Sequence, residues 1–267
     1  MKDFYNNEWV WVTGASSGIG RELAKQCFDL GANVFLASRN TTELQKLVKE
    51  LGIPKNRYAI EKLDLEDYKK LNKLVNVWLK KYPIPKVVIH NGGISQRSLT
   101  KETNLLTLER IMNTNFYGAC EITRSLLPKV VDKKPIHFAV ISSVAGKLGS
   151  PLRSAYSASK FALVGFFHCL RAEEEKSGVY ITMVYPGFIK TNISKNALTG
   201  DGKAAGKMDA VIEAGIAVEI CANRTLRSIA NREREVVIAG IKERFGLWMQ
   251  KHIPNLFFKM IQTAKVR

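Results

Sequence analysis

No apolar run in this chain approaches the roughly 20 residues that a membrane-spanning helix needs; the longest are strand-sized. Cysteine is sparse: Cys27, Cys120, Cys169 and Cys221 lie far apart with no Cys-x2-Cys pair. That argues against a metal site or a disulfide frame and for buried thiols in a reducing compartment. Residues 1–8 have no apolar core, so they are not read as a secretory signal. Linkers, internal repeats and Pro/Ser-rich tracts are missing, so nothing cuts the chain into several domains. Acidic residues are also few, with 24 Asp and Glu against 41 Lys and Arg for a net charge of +17. Residues 223–267 alone carry ten basic and three acidic side chains. Such a surplus favours anionic partners (a phosphorylated cofactor, an acidic lipid surface or nucleic acid) without choosing among them. With 267 residues, 46% hydrophobic and 24% charged, the chain otherwise has ordinary globular composition and the size of one large α/β domain.

Short β-branched runs alternate with helical stretches. Residues 9–12, 33–37, 86–90, 137–141, 179–184 and 235–239 read as buried strands, with a weaker one at 58–60. Between them the apolar spacing is helical, as at Leu71, Leu74, Val75, Trp78 and Leu79. This alternation predicts an α/β fold: a doubly wound, mostly parallel seven-stranded sheet with helices on both faces. We expect one domain over 1–240, including a substrate loop at about 190–222, followed by a basic amphipathic extension over 241–267. Gly200, Gly202 and Gly206 suggest that the first part of that loop is mobile and leads into a short helix.

Directly after the first strand stands Thr13-Gly-Ala-Ser-Ser-Gly-Ile-Gly20, and then helical sequence. A strand, a glycine turn and a helix N-terminus form an anion site, because glycine admits a pyrophosphate close to the backbone and free N–H groups point at it. The spacing is Gly-x3-Gly-x-Gly, not the Gly-x-Gly-x2-Gly of the general dinucleotide fingerprint. A tight strand-to-helix connection is the plainer alternative; the position after strand one favours nucleotide binding. The second strand ends in Ser38-Arg39-Asn40, with no carboxylate before Glu43. An acidic residue there would bind the ribose 2′-OH of NAD, whereas a guanidinium suits the 2′-phosphate of NADP. NADP(H) is therefore expected over NAD(H).

Tyr-x3-Lys occurs three times. At Tyr58 the pair begins on a strand, where i and i+4 lie roughly 13 Å apart. At Tyr82 it encloses Pro83 and Pro85, which no helix tolerates. Tyr156 and Lys160 sit in helical sequence and stack on one face. A neighbouring ammonium favours the phenolate and would lower a tyrosine pKa from about 10 toward working pH. Tyr156 is thus the expected general acid/base. Ser143, at the carboxyl end of the fifth strand, stands where open α/β sheets bind ligands.

Thr13 to Gly20, Asn91-Gly-Gly93, Asn115, Ser143, Tyr156-x3-Lys160 and Pro186-Gly187 with Thr191, in this order and spacing, resemble the short-chain dehydrogenase/reductase family. The likeness runs from Trp9 to about Gly240. It implies a Rossmann-fold NAD(P)-dependent oxidoreductase in which Tyr156 transfers the proton and Ser143 orients the substrate oxygen. Lys160 would bind the nicotinamide ribose and lower the tyrosine pKa, and Asn115 would hold a water of the proton relay. The implied cofactor contacts are Gly14, Ser16, Ser17, Gly18, Ile19, Gly20, Ser38, Arg39, Asn40, Asp64 with Leu65 at the adenine, Asn91, Gly92, Gly93, Tyr156, Lys160, Pro186, Gly187, and Ile189 with Thr191 at the carboxamide. The family's Asn-Asn-Ala-Gly appears here as His90-Asn91-Gly92-Gly93; His90 is read as a core histidine with a structural partner and is left out of the site.

By the same resemblance the substrate pocket is formed by Ile94, Gln96, Leu148, Leu152 and Phe188, with the segment after Thr191 as a lid. These positions are mostly apolar and include no arginine clamp, so a hydrophobic alcohol or ketone is expected rather than a sugar. The apolar stripe of the extension (Phe245, Trp248, Met249, Ile253, Leu256, Phe257, Met260) is read first as packing on the domain or a second subunit. Second, Trp248, Phe257 and Phe258 with Lys251, Lys259, Lys265 and Arg267 suit peripheral contact with an acidic membrane. No nucleic-acid-binding module is present and no metal site is expected. Helical residues 161–167 are apolar nearly all round, which points to a homodimer or homotetramer. A cytoplasmic enzyme is the expected whole; the alternative is a non-catalytic dinucleotide sensor or scaffold, for which the Tyr/Lys pair would have no use.

Overall fold

The computed structural model describes residues 1–129, 135–207 and 209–262. Seven parallel strands form one sheet: β1 (Trp9–Thr13), β2 (Asn33–Ser38), β3 (Tyr58–Lys62), β4 (Val87–His90), β5 (Ile136–Ile141), β6 (Val179–Pro186) and β7 (Glu235–Ile238). Their order is β3-β2-β1-β4-β5-β6-β7. The helices are α1 (Lys2–Tyr5), α2 (Gly18–Asp29), α3 (Thr41–Glu50), α4 (Leu71–Lys81), α5 (Leu105–Met112), α6 (Gly118–Leu126), α7 (Ser154–Glu174), α8 (Ala210–Glu213), α9 (Val218–Ala230), α10 (Ile241–His252) and α11 (Pro254–Ile261). The expected doubly wound sheet with a helical carboxy-terminal region is the observed fold.

The β-branched runs explain the sheet. Strand side chains alternate between faces, and both faces of a covered parallel sheet must be apolar. In β1, Val10 and Val12 join the core under α2, α3 and α9, while Trp11 faces the core under α4, α6 and α7. There Trp11 stacks on Phe35 at 4.4 Å and meets Trp78 edge-on at 5.8 Å. Val12 pairs with Leu36 on one side and Ile89 on the other, so the chain order reverses across β1 and β4. Their carboxyl ends open the crevice in which such sheets hold ligands. α3 and α5 start where a side chain satisfies a free N–H group: Asn40 accepts from Glu43 N at 3.2 Å, and Asn104 from Thr107 N at 2.7 Å. Between α5 and α6 the chain passes through a π-helical turn, Asn113–Tyr117, an irregularity that re-aims the side chains within it.

Two expectations change. Cys169 is exposed on α7, whose inward face is taken by Leu163, Phe167 and Leu170; Cys27, Cys120 and Cys221 are buried, and burial pushes their thiols up. The stripe of the extension is divided between two environments. Met249 and Phe257 pack on Val144, Leu148 and Ala239, whereas Phe245, Trp248, Leu256, Phe258 and Met260 are exposed. Ile253 breaks the helix, and Pro254 starts the next one where its missing N–H has no bond to lose. Lys265 and Arg267 lie outside the described residues.

Phe257 is 1% and Phe258 54% exposed. Urea unfolding should show Phe257→Ala destabilised by about 3 kcal/mol and Phe258→Ala changed by less than about 0.5 kcal/mol; equal effects would contradict docking of the extension on the domain.

Candidate active site

β1 ends in Thr13, whose Oγ1 donates to Ile89 O at 3.3 Å and accepts from the backbone N of Asn91 and of Gly92, both at 3.1 Å. Asn91 Nδ2 in turn donates to Thr13 O and Gly14 O at 3.1 and 3.2 Å, tying the turn after β1 to the end of β4. Gly14 and Gly18 adopt φ of 66° and 54°, where a side chain is strained. A Cβ on Gly20 would lie 2.3 Å from Gly14 O, so helix and turn meet backbone to backbone. Ser17, ahead of α2, makes no side-chain capping bond. The first-turn N–H groups thus lack a side-chain acceptor, and the closely packed, uncapped cradle fits a dinucleotide pyrophosphate. Ser16 is half-buried, Ser17 exposed, and Ile19 borders the adjoining cavity.

The other expected cofactor positions surround this crevice. Ser38 is buried and donates to Asn40 O at 3.0 Å, and Asn40 is occupied in capping α3. Arg39 is exposed, with no hydrogen-bond or ion-pair partner among the described residues. Asp64 is exposed and accepts from Glu66 N at 3.1 Å, while Leu65 is buried. A methyl on Gly92 would meet Leu65 Cδ1 at 2.4 Å, so glycine here removes an overlap rather than an idle group. Gly93, Pro186, Gly187, Ile189 and Thr191 all border the cavity. Gly187 N donates to Ile238 O at 2.9 Å, and Phe188 N to Glu243 Oε1 of α10 at 3.1 Å, so the carboxy-terminal region braces this edge.

Ser143, Tyr156 and Lys160 border the same cavity, and Asn115 stands directly behind it against Gly93. Lys160 Nζ donates to Ile141 O at 2.8 Å and lies 5.7 Å from the centre of the Tyr156 ring. The Ser143 hydroxyl donates to Pro186 O at 3.4 Å and accepts from Ala145 N at 3.1 Å, and it stands near enough to Tyr156 to favour the ionised phenol. Asn115, in the π-helical turn, exchanges two bonds with the Ile94 backbone at 2.8 and 2.9 Å. Its Nδ2 also donates to Ser159 Oγ at 2.9 Å, and Ser159 Oγ to Tyr156 O at 2.7 Å. His90 is buried beside Thr123 Oγ1 at 2.8 Å, and burial holds its pKa near 3, so it is a neutral core residue.

The substrate pocket differs from expectation. Of the five positions only Phe188 borders the cavity. Gln96 is fully buried; its Oε1 accepts from Ala155 N at 2.8 Å and Tyr156 N at 3.2 Å, which makes it a positioning residue for α7. Leu148 packs against Met249 and Phe257, Ile94 against Ile111 and Leu198, and Leu152 takes φ 66° in the turn before α7. The segment after Thr191 contributes Ile193 and Ile212, and Leu198 is hydrogen-bonded to Ser95 and Arg97 at 2.8 Å. Nor is the cavity without arginine: Arg97 and Arg153 both enter it. Arg153 stands three residues before Tyr156, a spacing that would have revealed it; Arg97 arrives from a loop with no local signal.

A family model described as short chain dehydrogenase matches residues 8–202. The chain is 37% identical over 258 residues to Dehydrogenase/reductase SDR family member 7B of Xenopus tropicalis, covering 94% of this chain and 84% of that protein. Its fold matches a short chain dehydrogenase/reductase from Burkholderia phymatum, solved in complex with NAD, at a TM-score of 0.81 and 19% identity over 94% of this chain and 95% of the other. A short chain dehydrogenase from Burkholderia cenocepacia, solved in complex with NADP, matches at a TM-score of 0.78 and 18% identity over 97% and 99%.

Burial dominates the electrostatics. It raises the Tyr156 pKa above the ordinary tyrosine value, against the opposing pull of Arg153, Ser143 and Arg97. The expected lowering by Lys160 is not what this environment produces, because that ammonium rests on the Ile141 carbonyl and is itself desolvated, its pKa drawn down to about 8. An unfolded lysine keeps its proton to about pH 10.4. Between these values the unfolded chain binds more protons, so stability rises with pH there, whereas below the folded value the penalty of the buried charge is present in full. Measured against Lys160→Met by urea unfolding, wild type should therefore gain roughly 3 kcal/mol between pH 8 and 10.5, with a flat difference from pH 6 to 7.5; a flat difference throughout would place the ammonium in water.

Proposed function

The chain belongs to the short-chain dehydrogenase family, and on that premise we propose that it is an NADP(H)-dependent oxidoreductase interconverting an alcohol and a carbonyl on a largely hydrophobic substrate, with Tyr156 as general acid/base. The observation that carries this reading is the convergence of Tyr156, Ser143 and Lys160 on one cavity that continues to Ile19, Asn91 and Gly93 at the glycine cradle. When bound, the nicotinamide supplies hydride exchange with the substrate carbon. Everything else falls to the protein. In reduction Tyr156 gives its phenolic proton to the carbonyl oxygen; in oxidation the phenolate takes the hydroxyl proton. Ser143 Oγ, fixed by Ala145 N, orients that oxygen. Lys160 keeps its positive charge beside the ring below about pH 8, where it would hold the hydroxyls of the nicotinamide ribose. Asn115 and Ser159 fix the backbone of Tyr156 from behind. Phe188, Ile193 and Ile212 wall the cavity with apolar surface that excludes water from the reacting atoms.

Arg39, exposed at the end of β2 and unpaired among the described residues, is the proposed contact for the 2′-phosphate, with Asp64 and Leu65 at the adenine. Exposed Leu105 and Leu106 on α5 and Phe161 on α7, two helices that pack together, form the proposed subunit interface of a homo-oligomer. No described helix is long and apolar enough to cross a membrane. We propose a cytoplasmic protein, with peripheral contact to acidic lipid through exposed Trp248 and Phe258 beside Lys251 and Lys259.

Tyr156→Phe should keep its NADPH affinity and lose about 10²–10⁴-fold in turnover of a competent carbonyl; near-normal activity would remove the role given to the phenol. Arg39→Ala should weaken NADPH binding about tenfold or more at fixed salt and leave NADH unaffected, measured by fluorescence titration. Tighter binding of NADH than NADPH by the wild type would reverse the cofactor assignment.

A further inference from the structure

Two guanidinium groups reach the cavity that holds Ser143 and Tyr156, and among the described residues one carboxylate, Asp209, answers them. Arg97 Nη2 donates to Asp209 Oδ2 at 3.0 Å; its Nη1 is taken by Gln96 O at 2.7 Å and Ser95 Oγ at 3.3 Å. Arg153 approaches the same Oδ2 only to 4.0 Å, beyond hydrogen-bond range. The other oxygen, Oδ1, accepts from Val211 N at 3.3 Å. The Arg153 side chain is 11% exposed, and its Nε and Nη2 are buried without any hydrogen-bond partner. Burial accordingly draws its pKa down to about 10, and of the charges acting on Tyr156 it is the one that favours the phenolate most. A buried guanidinium with two idle donors and net positive surroundings is matched by a planar or tetrahedral oxyanion, which takes two parallel N–H bonds at once.

We propose that Arg97 and Arg153 form a receptor for an oxyanion group, carboxylate or phosphate, which the substrate carries within a few bonds of the reacting carbon. The position of that carbon rests on the oxidoreductase reading above; the receptor itself does not. Because Arg153, at the N-cap of α7 three residues before Tyr156, lines the same cavity as the phenol, a group held by its fork brings the neighbouring carbonyl to Tyr156. Phe188, Ile193 and Ile212 add apolar wall to the same cavity, so the substrate joins an anionic group to an apolar body. This selects against simple neutral ketones, which would leave both donors of Arg153 buried and unmet.

Two measurements test the receptor. In the first, malonate and inorganic phosphate are titrated calorimetrically into the cofactor-free protein at constant ionic strength. At least one of them should bind wild type tenfold or more tightly than Arg153→Met and Arg97→Met. In the second, NADPH oxidation is followed with matched pairs, a 3-oxo acid against its methyl ester and a phosphorylated ketone against its free alcohol. An anionic member should be preferred tenfold or more in kcat/KM, chiefly through KM, and the preference should collapse in both variants; the pair that responds tells carboxylate from phosphate. Circular dichroism and NADPH affinity report folding, and Arg97→Met carries the test if Arg153→Met does not fold. Anion binding that is absent, or equal in wild type and variants, overturns the receptor, whatever the turnover. Arginine-dependent anion binding with no NADPH-dependent turnover of any carbonyl supports the receptor and removes the oxidoreductase reading instead.

Discussion

One reciprocal pair of hydrogen bonds fastens α7 to the end of β5, and the rest of the site takes its geometry from that joint. Lys160 Nζ donates to Ile141 O at 2.8 Å, and Ser142 Oγ donates back to Lys160 O at 3.2 Å. Both are buried, where a bond left unmade would be expensive, so neither element can slide along the other without leaving donors or acceptors bare. Tyr156 lies one turn before Lys160 and Ser143 two residues after Ile141. Fixing the joint therefore fixes the phenol against the hydroxyl. A Cβ on Gly146 would lie 2.5 Å from Ser142 Oγ and 3.0 Å from Lys160 O, so the turn that follows β5 must also be bare to let the helix this close.

A second brace works on the cofactor side. Thr13 and Asn91 join the glycine turn to the end of β4 by five bonds, three through Thr13 Oγ1 and two through Asn91 Nδ2. Asn115 connects the two halves. It grips the chain just beyond Asn91 through Ile94 and reaches α7 through Ser159. The crevice at the reversal of strand order is thus a closed circuit of backbone and side-chain bonds laid across β1, β4 and β5, and its apolar sheet supplies the stiffness.

Most of this frame is legible in the residues. The strands announce themselves because a parallel sheet covered on both faces needs uninterrupted apolar runs, and the glycine turn because only that spacing lets α2 start so close to β1. Of the three Tyr-x3-Lys pairs, helical context alone picks the one that the fold brings to the cavity. What sequence does not carry is convergence from distant segments. Arg97, Gln96 and Asp209 are ordinary polar residues until the segment after Thr191 folds back on the loop after β4, and Gln96 turns out to hold α7 rather than face the cavity. The electrostatics are equally hidden: proximity of Tyr156 and Lys160 follows from spacing, but the degree of burial, which outweighs that proximity, depends on everything stacked above them. The amphipathic extension misleads for a similar reason, since its stripe is shared between a docked side and an open one.

The bond from Phe188 N to Glu243 has a bearing on how this chain can vary. A side chain at Gly187 would strike Glu243 Oε1 at 2.6 Å, and one at Gly240 would meet its Oε2 at 2.7 Å. The floor of the cavity and the first turn of α10 are in effect one mutational unit: a side chain at Gly240 pushes the Glu243 carboxylate from its place at Phe188 N, and one at Gly187 meets Ala239 Cβ at 2.9 Å as well. Swapping the carboxy-terminal segment for that of a distant homologue would carry this dependency with it, and a chimaera joined at Gly240 inherits whichever acceptor the donor happens to bring.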